Sequence, residues 1–374
     1  MKKSSVRFGI IGLGNMGSVH GRCILEGKVP GAELAAVCDE DDTKSALFPG
    51  VPFFKDFESM IASGKVDAVL IATLHFSHTT LGIAALKAGL HVLVEKPLSV
   101  HKADCERLIA AHKNRKQIFC AMFNQRTDPC YQKVRQLVQG GELGKIRRIN
   151  WIITEWFRSE AYYASGGWRA TWASEGGGVL LNQCPHNLDL YQWIFGMPSK
   201  VRGFCQLGRY HNIEVEDDVT AYFEYPDGAT GVFITSTGEA PGTNRLEVTG
   251  EQGKLVLENG TLEFTRNEIQ TTTFSRKTKE SFSRPEIWNV QIPMPKNGGE
   301  QHIGIMKNFV GAILRGEKLL APAAEGIHSV ELGNAILFSS LLDKTLTLPM
   351  SGKAYEKRLA SLIAGSKFRK SAKV

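Results

Sequence analysis

A chain of 374 residues, 43% apolar and 22% charged, has the balance of a folded globular protein and is long enough to bury two cores. Disorder and fibrous repeats are excluded. The formal charge of +7 concentrates at the C-terminus, where Lys353, Lys357, Arg358, Lys367, Arg369, Lys370 and Lys373 stand against Glu356; with only Tyr355 and Phe368 among them, 351–374 reads as a frayed basic tail, and neither a nucleic-acid nor a membrane partner is expected.

The N-terminal MKKSS is followed by a short apolar run, 6–13, that contains Arg7, Gly9 and Gly12. It reads as a buried strand rather than a leader. No stretch approaches the roughly 18 apolar residues of a membrane span. Seven scattered cysteines without a CxxC spacing point to reduced thiols in a cytoplasmic protein, with no metal site.

Strand-like runs at 7–11, 34–38, 68–72, 91–94 and 118–121 alternate with amphipathic segments such as 79–88 and 102–112. That alternation predicts βαβ units and a doubly wound parallel Rossmann sheet over 1–124. Gly12-Leu13-Gly14-Asn15-Met16-Gly17 is a GxGxxG that leaves the first strand and opens a helix, and Asp39 ends the next strand about 20 residues on. Gly12 permits the turn, Gly14 lets backbone approach a pyrophosphate, and Gly17 lets the helix close on its strand. The free N–H groups of Asn15, Met16 and Gly17 then face the phosphates. Asp39 is placed to bond the ribose hydroxyls. Because Glu40, Asp41 and Asp42 follow it, NAD is favoured over NADP.

Beyond residue 124 the pattern changes. Long strand-like runs at 146–155, 201–207, 219–225 and 231–237 are joined by Pro226-Asp227-Gly228, Glu251-Gln252-Gly253 and Asn259-Gly260 turns, and helical pattern returns at 300–314 and 324–344. Short turns make consecutive strands antiparallel. Residues 125–350 are therefore expected to form an α+β domain with a large, open, mostly antiparallel sheet. Trp151, Phe223 and Phe233 read as an apolar sheet face left in water, which predicts a homodimer or homotetramer.

Glu95-Lys96-Pro97 follows the 91–94 strand, at the carboxyl edge where open parallel sheets bind ligands. A partly desolvated Lys96 there has the chemistry of a general acid or base, although a Glu-Lys pair after a strand is commonly only a surface pair. His186 lies three residues before Asp189 on a helical run, so that the carboxylate is expected to orient it.

The glycine motif, Val66-Asp67-Ala68-Val69-Leu70-Ile71-Ala72-Thr73 with His78, Glu95-Lys96-Pro97, and Gly176-Gly177-Gly178-Val179-Leu180-Leu181 running on to His186, Asp189, Trp193 and Gly196 together resemble the glucose-fructose oxidoreductase/inositol dehydrogenase/rhizopine catabolism (Gfo/Idh/MocA) family over about residues 5–350. The resemblance implies NAD-dependent hydride transfer at a secondary alcohol carbon of a sugar, sugar derivative or cyclitol. It makes Lys96 the proton-transfer group assisted by His186, and it implies a cis Lys96–Pro97 bond. Glu95, Thr73, His78, Asn124, Trp168 and Arg169 are then cofactor or cleft contacts, and Arg126, Arg158 and Trp172 are substrate-side candidates.

One position departs from the family pattern. Where many relatives carry an aspartate four residues before the histidine, this chain has Asn182, which bonds substrate hydroxyls but takes no proton, so Lys96 is expected to lack that counter-ion. Two rival functions share the fold: a glycoside-processing enzyme that oxidises the ring transiently, and a dinucleotide-sensing regulator without catalysis.

Overall fold

A computed structural model describes residues 4–295 and 298–368. Six parallel strands, β1 (Val6–Ile11), β2 (Ala32–Cys38), β3 (Phe53–Phe54), β4 (Ala68–Ile71), β5 (His91–Val94) and β6 (Phe119–Ala121), lie in the order β3-β2-β1-β4-β5-β6. Their apolar runs are covered on both faces by helices, which is why the inner strands show no alternation. Strand order reverses between β1 and β4, so the carboxyl ends of β1, β4 and β5 open onto one crevice.

The second sheet has nine strands: β7 (Ile146–Ile153), β8 (Lys200–Leu207), β9 (Glu216–Glu224), β10 (Thr230–Ser236), β11 (Asn244–Gly250), β12 (Gly253–Glu258), β13 (Thr261–Asn267), β14 (Ile287–Val290) and β15 (Leu346–Thr347). The order is β14-β13-β12-β11-β7-β10-β9-β8-β15. The predicted turns make the β9–β10, β11–β12 and β12–β13 hairpins. Among the described residues only the β7–β10 pairing of this sheet is parallel, so the sheet is mixed.

Period-2 alternation correctly groups Trp151, Phe223 and Phe233 on one face, but that face is not the open one. All three are completely buried. They surround Tyr191 of the Pro185–Phe195 helix, with ring centroids 6.4, 5.1 and 6.0 Å from it. The aromatic argument for assembly is therefore corrected: these rings form the seam between helix and sheet.

Two further expectations change. The basic tail is not frayed at its start, because Gly352–Gly365 is a helix capped by Ser351. Its Tyr355 and Leu359 are buried, and its Glu356 bonds Arg107 at 2.8 Å; Arg369, Lys370 and Lys373 lie outside the described residues. Nor does the first core end at residue 124. The Gln301–Arg315 helix returns to it with Ile305, Met306, Phe309 and Val310, Phe309 meeting Phe8 at 5.8 Å. The Ala121 N–H donates to Ala321 O at 3.0 Å beside β6. The Gly326–Leu342 helix then ties both halves together: Asn334 accepts from Lys102 N–H, and Ser339 from Gly203 N–H, each at 3.0 Å.

Candidate active site

The cofactor side is built from backbone. Gly12 has φ +88°, and a Cβ there would lie 2.8 Å from Ala72 O. At Gly17 a Cβ would come within 1.8 Å of Gly12 O, whereas nothing lies within 4 Å of the corresponding point at Gly14. The loop is thus closed against β4 and open at Gly14, above the Asn15–Leu25 helix, whose N-terminus has no side-chain cap. That open cradle of free N–H groups fits a pyrophosphate. Asp39 accepts from Leu13 N–H at 2.6 Å and from Asp41 N–H at 3.0 Å, so the carboxylate is fixed at the lip. Lys44, which the sequence reading passed over, reaches Leu13 O at 3.3 Å and puts one cation beside the acidic segment. Thr73 stands at the end of β4 against Gly12, and its hydroxyl takes a bond from Ser77 at 3.1 Å.

At the end of β5, Lys96 is partly buried and precedes the cis Lys96–Pro97 bond. Its Nζ donates to the backbone carbonyl of Asn182 at 2.8 Å, which joins the two halves of the chain at the cleft. Desolvation lowers the Lys96 pKa, opposed by the negative charges of Glu95 and Glu175. Glu95 lies beneath the lysine. It accepts from His20 Nε2 at 2.6 Å and from Lys96 N–H at 3.1 Å. Burial opposes its ionisation, but the His20 bond and the fields of His20, His302 and Lys96 outweigh that and hold it down to about 2. The expected dinucleotide contact by Glu95 is thus replaced by protein partners. His20 and His302, with rings 5.4 Å apart, were not legible as site residues.

Asn182 does not leave Lys96 without a nearby carboxylate. Its side-chain amide donates to Glu175 Oε1, and Glu175 Oε2 takes the Ala170 N–H at 2.5 Å. Glu175 is 2% exposed, and burial raises its pKa. His75 Nδ1 donates to the Glu175 carbonyl at 3.2 Å, and its own pKa is lowered to about 3 by desolvation, then by His78 and Lys96. The missed residue is therefore Glu175, seven positions before Asn182.

The loop that carries Asn182 and His186 is held from below by Glu216. Its Oε1 accepts from Gly178 N–H at 2.9 Å and Leu180 N–H at 3.1 Å, and burial raises its pKa to about 7. A Cβ at Gly178 would lie 1.9 Å from Glu216 O, so this approach requires glycine. His186 is buried, its Nδ1 has no hydrogen-bond partner, and desolvation and then Lys96 push its pKa well below the usual value. Asp189 does not orient it. That carboxylate forms a bidentate pair with Arg126, Nε–Oδ2 at 2.7 Å and Nη2–Oδ1 at 2.6 Å.

Arg126 is in turn corrected as a substrate contact: it is fully buried, and its Nη1 reaches Leu320 O at 3.0 Å and Glu325 at 2.5 Å. Trp172, 4% exposed, is a core residue of the second domain. His78 is fully buried between the Pro97 carbonyl at 2.8 Å and the Thr73 carbonyl at 3.1 Å, which makes it a strap across the lysine turn instead of a cofactor contact. Asn124 donates to Gln301 at 2.8 Å, while its Oδ1 is buried without a partner. Trp168 and Arg169, expected as cofactor or cleft contacts, lie together with Arg158: Arg169 packs over Trp168 at 4.4 Å and over Tyr162 at 4.3 Å, and Arg158 packs over Tyr162 at 5.1 Å.

Residues 6–123 match the oxidoreductase family with an NAD-binding Rossmann fold, and residues 131–256 match the GFO/IDH/MocA C-terminal domain. The myo-inositol 2-dehydrogenase of Thermotoga maritima is 30% identical over 268 residues, 68% of this chain and 75% of that protein. The chain spans only about half the length of other curated relatives, 55% in two of them. The WlbA dehydrogenase from Bordetella pertussis, solved with NADH and UDP-GlcNAcA, superposes with a TM-score of 0.77 at 24% identity over 93% of this chain and 100% of that one. A levoglucosan dehydrogenase in complex with NADH and levoglucosan gives 0.77 at 20% identity over 92% and 100%. At these identities the two structures bear on the fold alone.

Proposed function

The chain belongs to the GFO/IDH/MocA oxidoreductase family, and from that premise we propose that it is an NAD-dependent dehydrogenase acting on a secondary alcohol of a sugar, sugar derivative or cyclitol. The observation that carries this reading is Lys96, desolvated at the mouth of the dinucleotide crevice and tied through Nζ to the loop that bears the unpartnered His186. The Gly12–Gly17 cradle and Asp39 hold the dinucleotide, and bound NAD+ supplies the hydride acceptor.

The chain's own residues supply the proton chemistry. Neutral Lys96 accepts the hydroxyl proton at Nζ, and its lowered pKa makes that form available below the ordinary lysine range. The fixed Asn182 carbonyl aims the ammonium formed in that step, and Glu175 stabilises its charge. His186, held neutral by burial, turns the ring edge opposite its buried Nδ1 to a neighbouring hydroxyl, which orients the substrate C–H.

The test is NADH formation over a panel of inositols, aldoses, anhydrosugars and glycosides. Stoichiometric NADH that disappears in Lys96→Ala supports the reading. Turnover of a glycoside without net NADH overturns it in favour of transient oxidation.

All seven cysteines are free, which supports a reducing, cytoplasmic setting. Assembly as a homodimer or homotetramer would use the outer face of the second sheet, where Ile152, Val232 and Ile234 are only half-buried. Sedimentation as a monomer at micromolar concentration would overturn that assembly.

A further inference from the structure

Beside the reacting lysine stands a layered stack that the chemistry above does not use. Arg158 lies between Trp156 and Tyr162, 5.7 and 5.1 Å from their ring centroids, and Arg169 lies between Tyr162 and Trp168, at 4.3 and 4.4 Å. Two guanidinium groups therefore share one tyrosine ring. Arg158 donates only to its own segment, to Trp156 O at 3.4 Å and Phe157 O at 2.8 Å, while Arg169 donates to Tyr162 Oη at 2.7 Å. Among the described residues neither has a carboxylate within salt-bridge distance.

The stack is a built part of the site. The Arg158 N–H donates to Thr237 O at 2.9 Å, and the Arg158 carbonyl takes His211 Nε2 at 2.8 Å, with His211 clamped by Asp217 at 2.9 Å. Gln183, next to Asn182, donates to Tyr162 Oη at 3.3 Å. Trp156 Nε1 donates at 3.2 Å to Asn187, next to His186. Trp168 meets His75 edge-on at 6.2 Å. The arginines also reach the reacting groups electrostatically: Arg158 contributes to lowering the Lys96 pKa, and Arg169 opposes the rise at Glu175.

Two like charges held on one ring repel each other, and aromatic faces offset only part of that cost. A carboxylate or phosphate offset it far better, because each planar guanidinium presents paired donors to such an oxyanion. We infer that the substrate carries an anionic group, held by the Arg158 and Arg169 guanidinium groups at the edge of the stack, while its reacting carbinol lies at Lys96. This inference rests on the dehydrogenase reading and names the substrate class within it: a sugar acid, a sugar phosphate or a nucleotide-linked sugar, not a neutral polyol.

The experiment uses the full chain loaded with NAD+ and matched probes: glucose, glucuronate and glucose 6-phosphate; myo-inositol and its monophosphate; and a uridine diphosphate sugar acid. Ligand-induced shifts in melting temperature and NADH formation are read in parallel for wild type, Arg158→Gln, Arg169→Gln and Arg158→Lys. Charge-assisted bonds of this kind set an expected preference of about 10- to 100-fold in kcat/KM for an anionic probe over its neutral counterpart. Either glutamine variant should collapse that ratio mainly through KM, and Arg158→Lys should recover only part of it. The arms that respond separate carboxylate from phosphate. If neutral probes react as well as anionic ones, and the ratio is unmoved by the variants, the anion site is overturned and the dehydrogenase reading stands. If no probe yields NADH, the melting shift decides: an arginine-dependent shift by an anion upholds the site, and no such shift overturns it.

Discussion

The two walls of the cleft are made in different ways. On the cofactor wall, consecutive residues from Gly12 to Gly17 present backbone N–H groups, and the fit is decided by the absence of single carbon atoms. On the wall proposed to face the substrate, side chains from the turn after β5, from 156–169, from Glu175 and from the Pro185–Phe195 helix come together, and charge and desolvation decide the proposed fit. A backbone cradle serves one ligand class whatever the surrounding side chains, whereas a side-chain wall can be re-aimed by one substitution. Changes on the second wall should therefore alter turnover, pH response and substrate choice with little effect on dinucleotide affinity.

Lys96→Ala is the strongest test of that separation. We expect kcat to fall by about 10²- to 10⁴-fold while NAD binding, followed by fluorescence titration, stays close to wild type. Equal losses in both would erase the distinction. The next largest effect is on the frame of the substrate wall. Arg126→Leu leaves the buried Asp189 carboxyl without its partner, so denaturant unfolding should show a loss of about 3–5 kcal/mol, and adding Asp189→Leu should return part of it.

The carboxylate behind Asn182 gives a smaller effect of defined sign. The Glu175 charge raises the Lys96 pKa, so Glu175→Gln lowers it. Neutral lysine then persists to lower pH, and the rising limb of kcat/KM for alcohol oxidation moves down by on the order of one pH unit. Asn182→Asp adds a charge and should move the limb up. Shifts in the same direction for both variants would sink the assignment. The smallest effect belongs to the cofactor wall: Asp39→Ala should narrow the preference for NAD over NADP several-fold in titrated Kd, the more readily because Lys44 is already beside Leu13.

What could be read from the sequence follows the same division. Strands β1, β2, β4, β5 and β6, the glycine loop and Lys96 were visible because each is a local pattern: an apolar run, a turn residue, a position at a strand end. Glu175 was not, since one acidic residue in a loop carries no periodic signal and gains its role only when Asn182 folds back on it. The His20–Glu95–His302 cluster likewise joins three distant segments. Asp189 was assigned to the wrong partner because i,i+3 spacing makes a contact possible, while the buried Arg126, 63 residues away, competes for it and wins as a bidentate ion pair. Trp151, Phe223 and Phe233 show the limit of strand alternation: it tells which side chains share a face, not whether a helix covers that face.

The return of the Gln301–Arg315 helix to the first core, sealed at Ala121 and Ala321, bears on how the protein comes off the ribosome. When β6 emerges, the surfaces later covered by Ile305, Phe309 and Val330 are still bare. At roughly 5–20 residues per second the missing pieces follow some 10–40 s later. For that interval the nascent NAD domain is an unfinished apolar body, so its yield in cells should depend on chaperone supply more than its final stability suggests.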